Sequence, residues 1–312
     1  MGLEQFANLI SLVLLAMVPY VLASQGTMLA GRAGLFNVAQ EGIMLASASI
    51  GFLGAYAFDS LVAGIMAAMV VGALFGLVFA YFTTTLKLNQ FVTGLSLFFV
   101  GLGLSTLAFK LAIGVTLSPP LIPTLSRVPL PLLSQIPLIG PILFNQNLFV
   151  YFSLLLSLFL YYFLYMTSWG LSLRSVGENP RAADSLGINV DRVRYSTAIV
   201  GAVLIGLAGV YLPMVYTGTF TEGITQGRGW LSTALTFFGG WQPHTIFLGA
   251  LFFAAIEVIA LRAQVLGNAI PHQLLLTLPY LATLLIMIFG AKWVRIPGFL
   301  GRNYDREQRS VS

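Results

Sequence analysis

The sequence predicts an all-α integral membrane protein of about nine transmembrane segments, eight to ten once boundary errors of a few residues are allowed for, two of them short or broken. Three observations predict it: the composition, the spacing of long apolar runs, and the placement of lysine and arginine. Of the 312 residues, 58% are hydrophobic and 8% are charged, against about 25% charge in a soluble globular chain. So few charges cannot cover a soluble domain of this length, which excludes a cytosolic enzyme, a nucleic-acid binder and a disordered regulator. The net charge of +5 therefore reports orientation across a membrane and not affinity for nucleic acid. The chain has no cysteine, so disulfides, thiolate metal sites and cysteine nucleophiles are excluded, while the redox compartment stays open. Residues 1–10 carry Glu4 and no lysine or arginine. They lack the basic flank of a cleaved secretory signal, and the first apolar run should stay in the membrane.

A helix needs about 20 apolar residues to span the hydrocarbon core, somewhat fewer where its ends are buried in protein. Residues 10–23, extended by their neighbours, 61–84, 91–113, 148–166, 196–216, 245–261 and 274–289 qualify. Two shorter stretches, 42–58 and 230–241, are interrupted by Gly51 and Gly54 and by Gly239 and Gly240, and they read as short or broken helices. Residues 1–290 thus form a single transmembrane domain and 291–312 a tail. Residues 113–147 contain Pro119, Pro120, Pro123, Pro129, Pro131, Pro137 and Pro141, half of the 14 prolines, so no continuous helix fits there. That segment reads as an apolar, irregular outer-face excursion: a stiff connector in the interface or, alternatively, a docking surface for an external partner.

Lysine and arginine gather on the cytoplasmic side, because translocating them is costly and opposed by the membrane potential. The tail holds Lys292, Arg295, Arg302, Arg306 and Arg309, and the loop 171–194 holds Arg174, Arg181, Arg192 and Arg194. Both should be cytoplasmic. Nine segments then put the N-terminus outside and Arg32 and Lys87 inside, leaving Lys110, Arg127, Arg228 and Arg262 at the outer side or its edge. There is also an internal echo. After Glu41-Gly42 come a short apolar stretch, a long one, a loop with Lys87 and another long helix; after Arg228-Gly229 comes the same order. In this topology the two copies run in opposite directions, as in inverted repeats that build a site near the bilayer midplane.

The most informative stretch lies in the loop 171–194. Asn179 can accept a hydrogen bond from the free amides of a first helical turn, Pro180 suits the first position, and Gly187 can take the left-handed conformation that closes a helix. The spacing predicts a helix over residues 180–186, about 10 Å long. An isolated helix needs about 12 to 15 residues for even marginal stability, so packing must hold this one. The small residues Ala182 and Ala183 should be exposed and admit a soluble partner whose groove orders the helix. An ordinary capped turn between two membrane helices is the plainer alternative.

The run Val176-Gly177-Glu178-Asn179-Pro180-Arg181-Ala182-Ala183, followed by Leu186-Gly187-Ile188-Asn189-Val190, resembles the cytoplasmic coupling loop of bacterial ABC-importer permeases. The branch is the one that serves branched-chain amino acids, simple sugars and nucleosides. Gly34-Leu35-Phe36-Asn37-Val38-Ala39-Gln40-Glu41-Gly42 is similar to the family's N-terminal motif, with Phe36 and Ala39 departing from it. Gly227-Arg228-Gly229-Trp230 with Phe238-Gly239-Gly240-Trp241-Gln242-Pro243 resembles the nucleoside and simple-sugar branch. The resemblance covers residues 25–290 and implies a type II importer arrangement in the bacterial cytoplasmic (inner) membrane. Two permease subunits, identical or paralogous, would form one pathway, two ABC ATPase subunits would sit below, and an extracytoplasmic binding protein would deliver the solute. On this resemblance Gly177, Glu178, Asn179, Pro180, Arg181, Ala182, Ala183 and Gly187 couple the chain to the ATPase.

The chain's own residues fit that division of labour. A phosphate-cradling loop needs Gly-Lys-Ser or Gly-Lys-Thr after a glycine-rich turn, and none of Lys87, Lys110 or Lys292 follows a glycine. The expectation is a transport subunit without enzymatic activity, cofactor, catalytic residue or metal. His244 and His272 have no partner at metal-ligand spacing, and no Ser/His/Asp arrangement can be assembled. Polar and ionisable residues in a membrane domain usually face protein interior or water. Asn37, Gln40 and Glu41 precede the first broken segment, and Glu222, Gln226 and Arg228 precede the second. With Trp230 and Trp241 they are candidates to line a substrate pathway, bonding sugar hydroxyls or stacking on a base, although helix capping and membrane packing account for them equally. Glu257, well inside 245–261, should be paired or face a cavity. The resulting reading is a permease subunit of an ATP-driven importer for nucleosides or related simple sugars. The rivals are a branched-chain amino acid permease and a stand-alone gradient-driven carrier.

Overall fold

The computed structural model describes residues 3–116, 119–131, 134, 136, 139–265, 277–278, 281–285, 288 and 295–306. In chain order the helices are α1 (Leu3–Arg32), α2 (Gln40–Phe58), α3 (Leu61–Ala80), α4 (Gln90–Ile113), α5 (Ile139–Leu143), α6 (Leu148–Met166), α7 (Ser168–Glu178), α8 (Pro180–Ser185), α9 (Val190–Tyr211), α10 (Arg228–Phe238) and α11 (Pro243–Val265). Among the described residues, seven helices are long and apolar enough to cross a membrane: α1, α2, α3, α4, α6, α9 and α11. The expected segment 274–289 falls mostly outside the described residues, as do His272, Lys292 and Arg309.

Helices α1, α2 and α9 are mostly buried, while α3, α4, α6 and α11 turn most of their residues outward. The centre of the bundle is α1, where Met17, Val18, Val21, Leu22 and Ala23 are fully enclosed. Lipid is as apolar as leucine, so helices in a membrane associate through close packing of small residues. That is the pattern here. A Cβ on Gly26 of α1 would stand 2.3 Å from the Gly201 carbonyl oxygen of α9, and one on Gly72 of α3 would stand 2.6 Å from that of Ala202.

The same logic corrects the expectation for residues 42–58. Helix α2 is not broken: it runs without interruption for 19 residues. Its Gly51 serves contact, because a Cβ there would lie 2.4 Å from the Val210 side chain, and one on Gly64 of α3 would lie 2.4 Å from the Gly51 carbonyl oxygen. The second expected short segment is short. Helix α10 has 11 residues and stops where Gly240 turns to a φ of +56°.

Two faces of the bundle can be told apart. One carries Arg32, the turn at Lys87, the stretch 167–189 and residues 295–306, and is called the basic face below. The loop 171–194 contains an unforeseen helix, α7, which Thr167 caps by accepting from the Gly170 amide at 3.1 Å. It buries Leu173, Val176 and Gly177 and exposes Trp169 and Leu171. The opposite face carries the proline-rich segment, which forms only a two-residue strand pair, Val128–Pro129 with Asn145–Gln146, and the short α5. It is bonded down onto the bundle, Ile122 donating to the Gly218 carbonyl at 2.8 Å and Leu125 to that of Met214 at 2.9 Å.

Candidate functional site

Helix α10 begins inside the protein, where its first free amides need acceptors. Its N-cap, Gly227, has a φ of +77° and no side chain to offer. Glu41, from the first turn of α2, takes that role. Its Oε1 accepts from the Thr225 hydroxyl at 2.6 Å and the Gly227 amide at 2.9 Å, and its Oε2 from the Gly229 amide at 2.7 Å. A carboxylate suits this end of a helix, where the backbone dipoles sum to a partial positive charge. Gly229 has no room for a side chain, since a Cβ would stand 2.5 Å from the Glu41 nitrogen. The starting points of the two echoed units, Glu41-Gly42 and Arg228-Gly229, therefore meet each other. From there α2 leads away from the basic face and α10 leads toward it, ending against Gly31 near the basic end of α1.

The neighbouring candidates divide into framework and surface. Asn37, Gln40, Glu41 and Trp241 are buried. Asn37 Oδ1 accepts from the Ala39 amide at 2.9 Å, and Gln40 Nε2 donates to the Asn37 carbonyl and to Thr27 Oγ1. Trp241 fills the space over Gly31, where a Cβ would come within 1.8 Å of its ring, and it meets Phe237 edge-on at 5.2 Å. Arg32 Nε donates to the Trp241 carbonyl at 2.7 Å, locking the α10–α11 turn to the end of α1. Glu222, Gln226 and Trp230 lie at the surface. Trp230 stands edge-on to Phe98 at 5.3 Å.

Arg228 is paired, and its partner comes from outside its sequence group. Its guanidinium bonds Glu257, whose other oxygen accepts from the Tyr20 hydroxyl at 2.8 Å. Glu257 is thus paired, and the two alternatives left open for it resolve. Glu222 instead pairs with Lys110 at 2.8 Å on the outside of the bundle.

On the basic face, α8 is the helix the capping residues predict, one residue shorter. Asn179 Oδ1 accepts from the Ala182 amide at 3.1 Å, Pro180 takes the first turn, and Gly187 has a φ of +84°. Ala182 is exposed, but Ala183 is not: it is 1% exposed and packs in a cluster with Val176, Val190 and Tyr304. The order of α8 therefore comes from its own chain, which corrects the expectation that a partner's groove supplies it. Asp184 adds to this, bonded by the Tyr304 hydroxyl at 3.0 Å and by Arg306 at 2.9 Å. Burial, then the bond to Asp184, raise the Tyr304 pKa above its ordinary value, so the hydroxyl keeps the proton it donates. Gly177 is buried, whereas Glu178 is exposed, and both hold the chain after Pro297. The Gly177 carbonyl accepts from the Phe299 amide at 2.9 Å and Glu178 Oε2 from the Gly298 amide at 3.0 Å. The outward surface around α8 is Glu178, Asn179, Ala182, Ser185, Leu186, Gly187 and Asn189, with Arg181 half-buried. A cleft of about 510 Å³ beside it is lined by Lys87, Asp184, Gly187, Asp191, Tyr304 and Asp305, among others. Arg194, expected as a loop charge, is 1% exposed, its guanidinium 5.7 Å from the centre of the Phe299 ring.

Among the described residues no group of three or more His, Asp or Glu could hold a metal ion. Residues 8–290 match the family described as branched-chain amino acid transport system / permease component. A permease named for glucose transport, TsgC13 of Haloferax volcanii, is 30% identical over 96% of this chain and 98% of its own length. The guanosine ABC transporter permease protein NupQ of Bacillus subtilis is 29% identical over 91% of this chain and 89% of its own. The nucleoside ABC transporter permease protein NupC of Lactococcus lactis is 31% identical, covering 93% and 94%.

Proposed function

The chain belongs to the branched-chain amino acid transport system / permease component family, and from that premise we propose that it carries nucleosides or related simple sugars as the membrane subunit of an ATP-driven importer. The observation that carries the solute class is the set of relatives, named for guanosine, nucleoside and glucose transport and alike over nearly the whole chain. The geometry around α10 supports it. A half-buried helix N-terminus is a natural anion site, but here Glu41 already fills it, leaving no free positive end for the carboxylate of an amino acid. What remains at the surface beside it, Gln226 and Trp230 with the edge of Arg228, suits hydroxyls and an aromatic ring. Asn37, Gln40, Glu41 and Trp241 would act as the frame that holds this surface, and Glu222 as its outer margin.

The basic face is cytoplasmic in this reading, the C-terminus with it, and the membrane is the bacterial inner membrane. The ridge of α8, from Arg181 to Gly187 with Ala182 at its crest, and the cleft beside it form the seat of a separate ATPase subunit. A second permease, identical or paralogous, and an extracytoplasmic binding protein complete the complex. The chain itself is not an enzyme and needs no cofactor.

The test is uptake by the reconstituted complex. Labelled nucleosides or sugars should accumulate only with ATP on the basic-face side, and vanadate should stop them. Preferential uptake of leucine would move the chain to the amino acid branch, and uptake driven by an ion gradient without ATP would overturn the reading. Ala182→Glu places a bulky charge on the crest of α8 and should remove the ATPase from the detergent-purified complex; full association and full uptake would refute the docking role.

A further inference from the structure

Residues 295–306 have little regular structure, yet their bonds reach much of the basic face. The Gly301 amide donates to the Gly34 carbonyl at 3.1 Å in the turn before α2. Asn303 Nδ2 bonds the carbonyls of Lys87 and Leu88 before α4, and Lys87 pairs with Asp305 at 2.8 Å. Gln90, 1% exposed in the first turn of α4, accepts from the Phe36 amide at 2.6 Å and donates to the Arg302 carbonyl at 3.2 Å. Arg194 of α9 bonds the same carbonyl at 3.1 Å. Farther along, Tyr304 and Arg306 both hold Asp184 of α8. A six-residue helix has almost no stability of its own, so what it is tied to decides where a push on it goes.

The geometry points to a strap: residues 298–306 bind α8 to the stretch 34–41, and so to Glu41 and the start of α10, with Tyr304 and Arg306 as positioning residues for the coupling helix. The inference rests on the reading of α8 as the ATPase seat. Through the strap, a displacement of α8 is carried to the turn at Gly34 and, by way of Gln90, to the Phe36 amide, and five residues on from Phe36 the same turn reaches Glu41, the carboxylate that caps α10. Without the strap, α8 keeps its seat and its packing on α7 and α9, but its displacement is absorbed in the loop.

The experiment measures solute taken up per ATP hydrolysed by the full complex in proteoliposomes, with ATPase co-purification alongside. The double variant Tyr304→Phe, Arg306→Ala should keep the ATPase bound and at least half the hydrolysis, while uptake per ATP falls at least five-fold. Arg306→Lys in the wild-type background should keep the ratio within two-fold of normal. A merely structural strap would lower uptake and hydrolysis together and leave their ratio unchanged, and that result overturns the inference, as does an unaltered double variant. Asn303→Ala, which frees the strap from Lys87, Leu88 and Gln90, must lower the same ratio, so poor assembly of the double variant does not shelter the proposal. If Ala182→Glu retains the ATPase in the same preparation, the docking reading has failed; if it loses the ATPase and the ratio is insensitive to Tyr304, Arg306 and Asn303, only the strap has failed.

Discussion

Among the described residues, two carboxylates lie inside the bundle, and they are satisfied in different ways. Glu41 is held by neutral donors, two backbone amides and a hydroxyl, and faces the partial positive charge of a helix end. Glu257 faces a full positive charge on Arg228 and one hydroxyl from Tyr20. Removing one member of a buried pair leaves the other charged and unpartnered, which costs about 3–5 kcal/mol when burial is complete and less for this partly buried pair, whereas removing both costs much less. Arg228→Ala should therefore lower the thermal unfolding temperature of the detergent-purified permease markedly, and Arg228→Ala combined with Glu257→Ala should recover most of the loss. Strictly additive losses would show that the pair is not what holds the two side chains. Arg228 and Glu257 are 29 residues apart and Tyr20 is 237 from Glu257, so no local pattern could reveal the trio. Only the cost of an ionisable group in a span pointed to a partner for Glu257.

At the scale of elements, what the sequence displays depends on whether the cause of a structure is local. The features that start and stop α8 lie within nine residues, from the Asn179 cap and Pro180 to the left-handed Gly187, and the helix was legible almost to its last residue, while the packing that holds it comes from Val176, Val190 and Tyr304. Helix α7 was not. It is 11 residues long and begins directly after the cap Thr167 that follows α6, so a reading based on apolar runs long enough to span the membrane passes over it, although its apolar residues do fall on one side. Glycines misled at α2 for a related reason: their use is contact with α3 and α9, which only the packed bundle displays. The local causes of α8 can be tested one at a time. Asn179→Ala removes the cap and should cost about 1 kcal/mol. Gly187→Val should cost more, because a β-branched residue is strongly disfavoured at positive φ. Trypsin should then cut at Arg181 faster in both variants than in the wild type, with Gly187→Val the faster of the two. Equal rates in all three would mean that packing through Ala183 and Tyr304, not the caps, keeps α8 folded.

Across the whole molecule, the sequence-derived charge map and the folded chain agree for most of the cations, the exception being Arg228, which the map put at the outer side and the fold pairs with Glu257 inside the bundle. Arg32, Lys87, Arg174, Arg181 and residues 295–306 share a face, although they come from distant parts of the chain, while Lys110 and Arg127 lie with the proline-rich segment on the other. The membrane span count was less legible than the charge map, since length and hydropathy give neither the depth of α10 nor the continuity of α2. Charge asymmetry orients a membrane protein because cationic segments are retained on the cytoplasmic side, and the two faces supply a direct check. The chain has no cysteine, so a single introduced thiol reports alone. Ser126 and Ser185 are both exposed, on opposite faces. In intact spheroplasts an impermeant maleimide should label Ser126→Cys and spare Ser185→Cys, and permeabilisation should make the second reactive. The reverse order would invert the whole molecule and place α8 where no ATPase could reach it. With the orientation as expected, adding the ATPase subunit to permeabilised membranes should slow labelling at Ser185→Cys several-fold and leave Ser126→Cys unchanged, because only α8 is then covered.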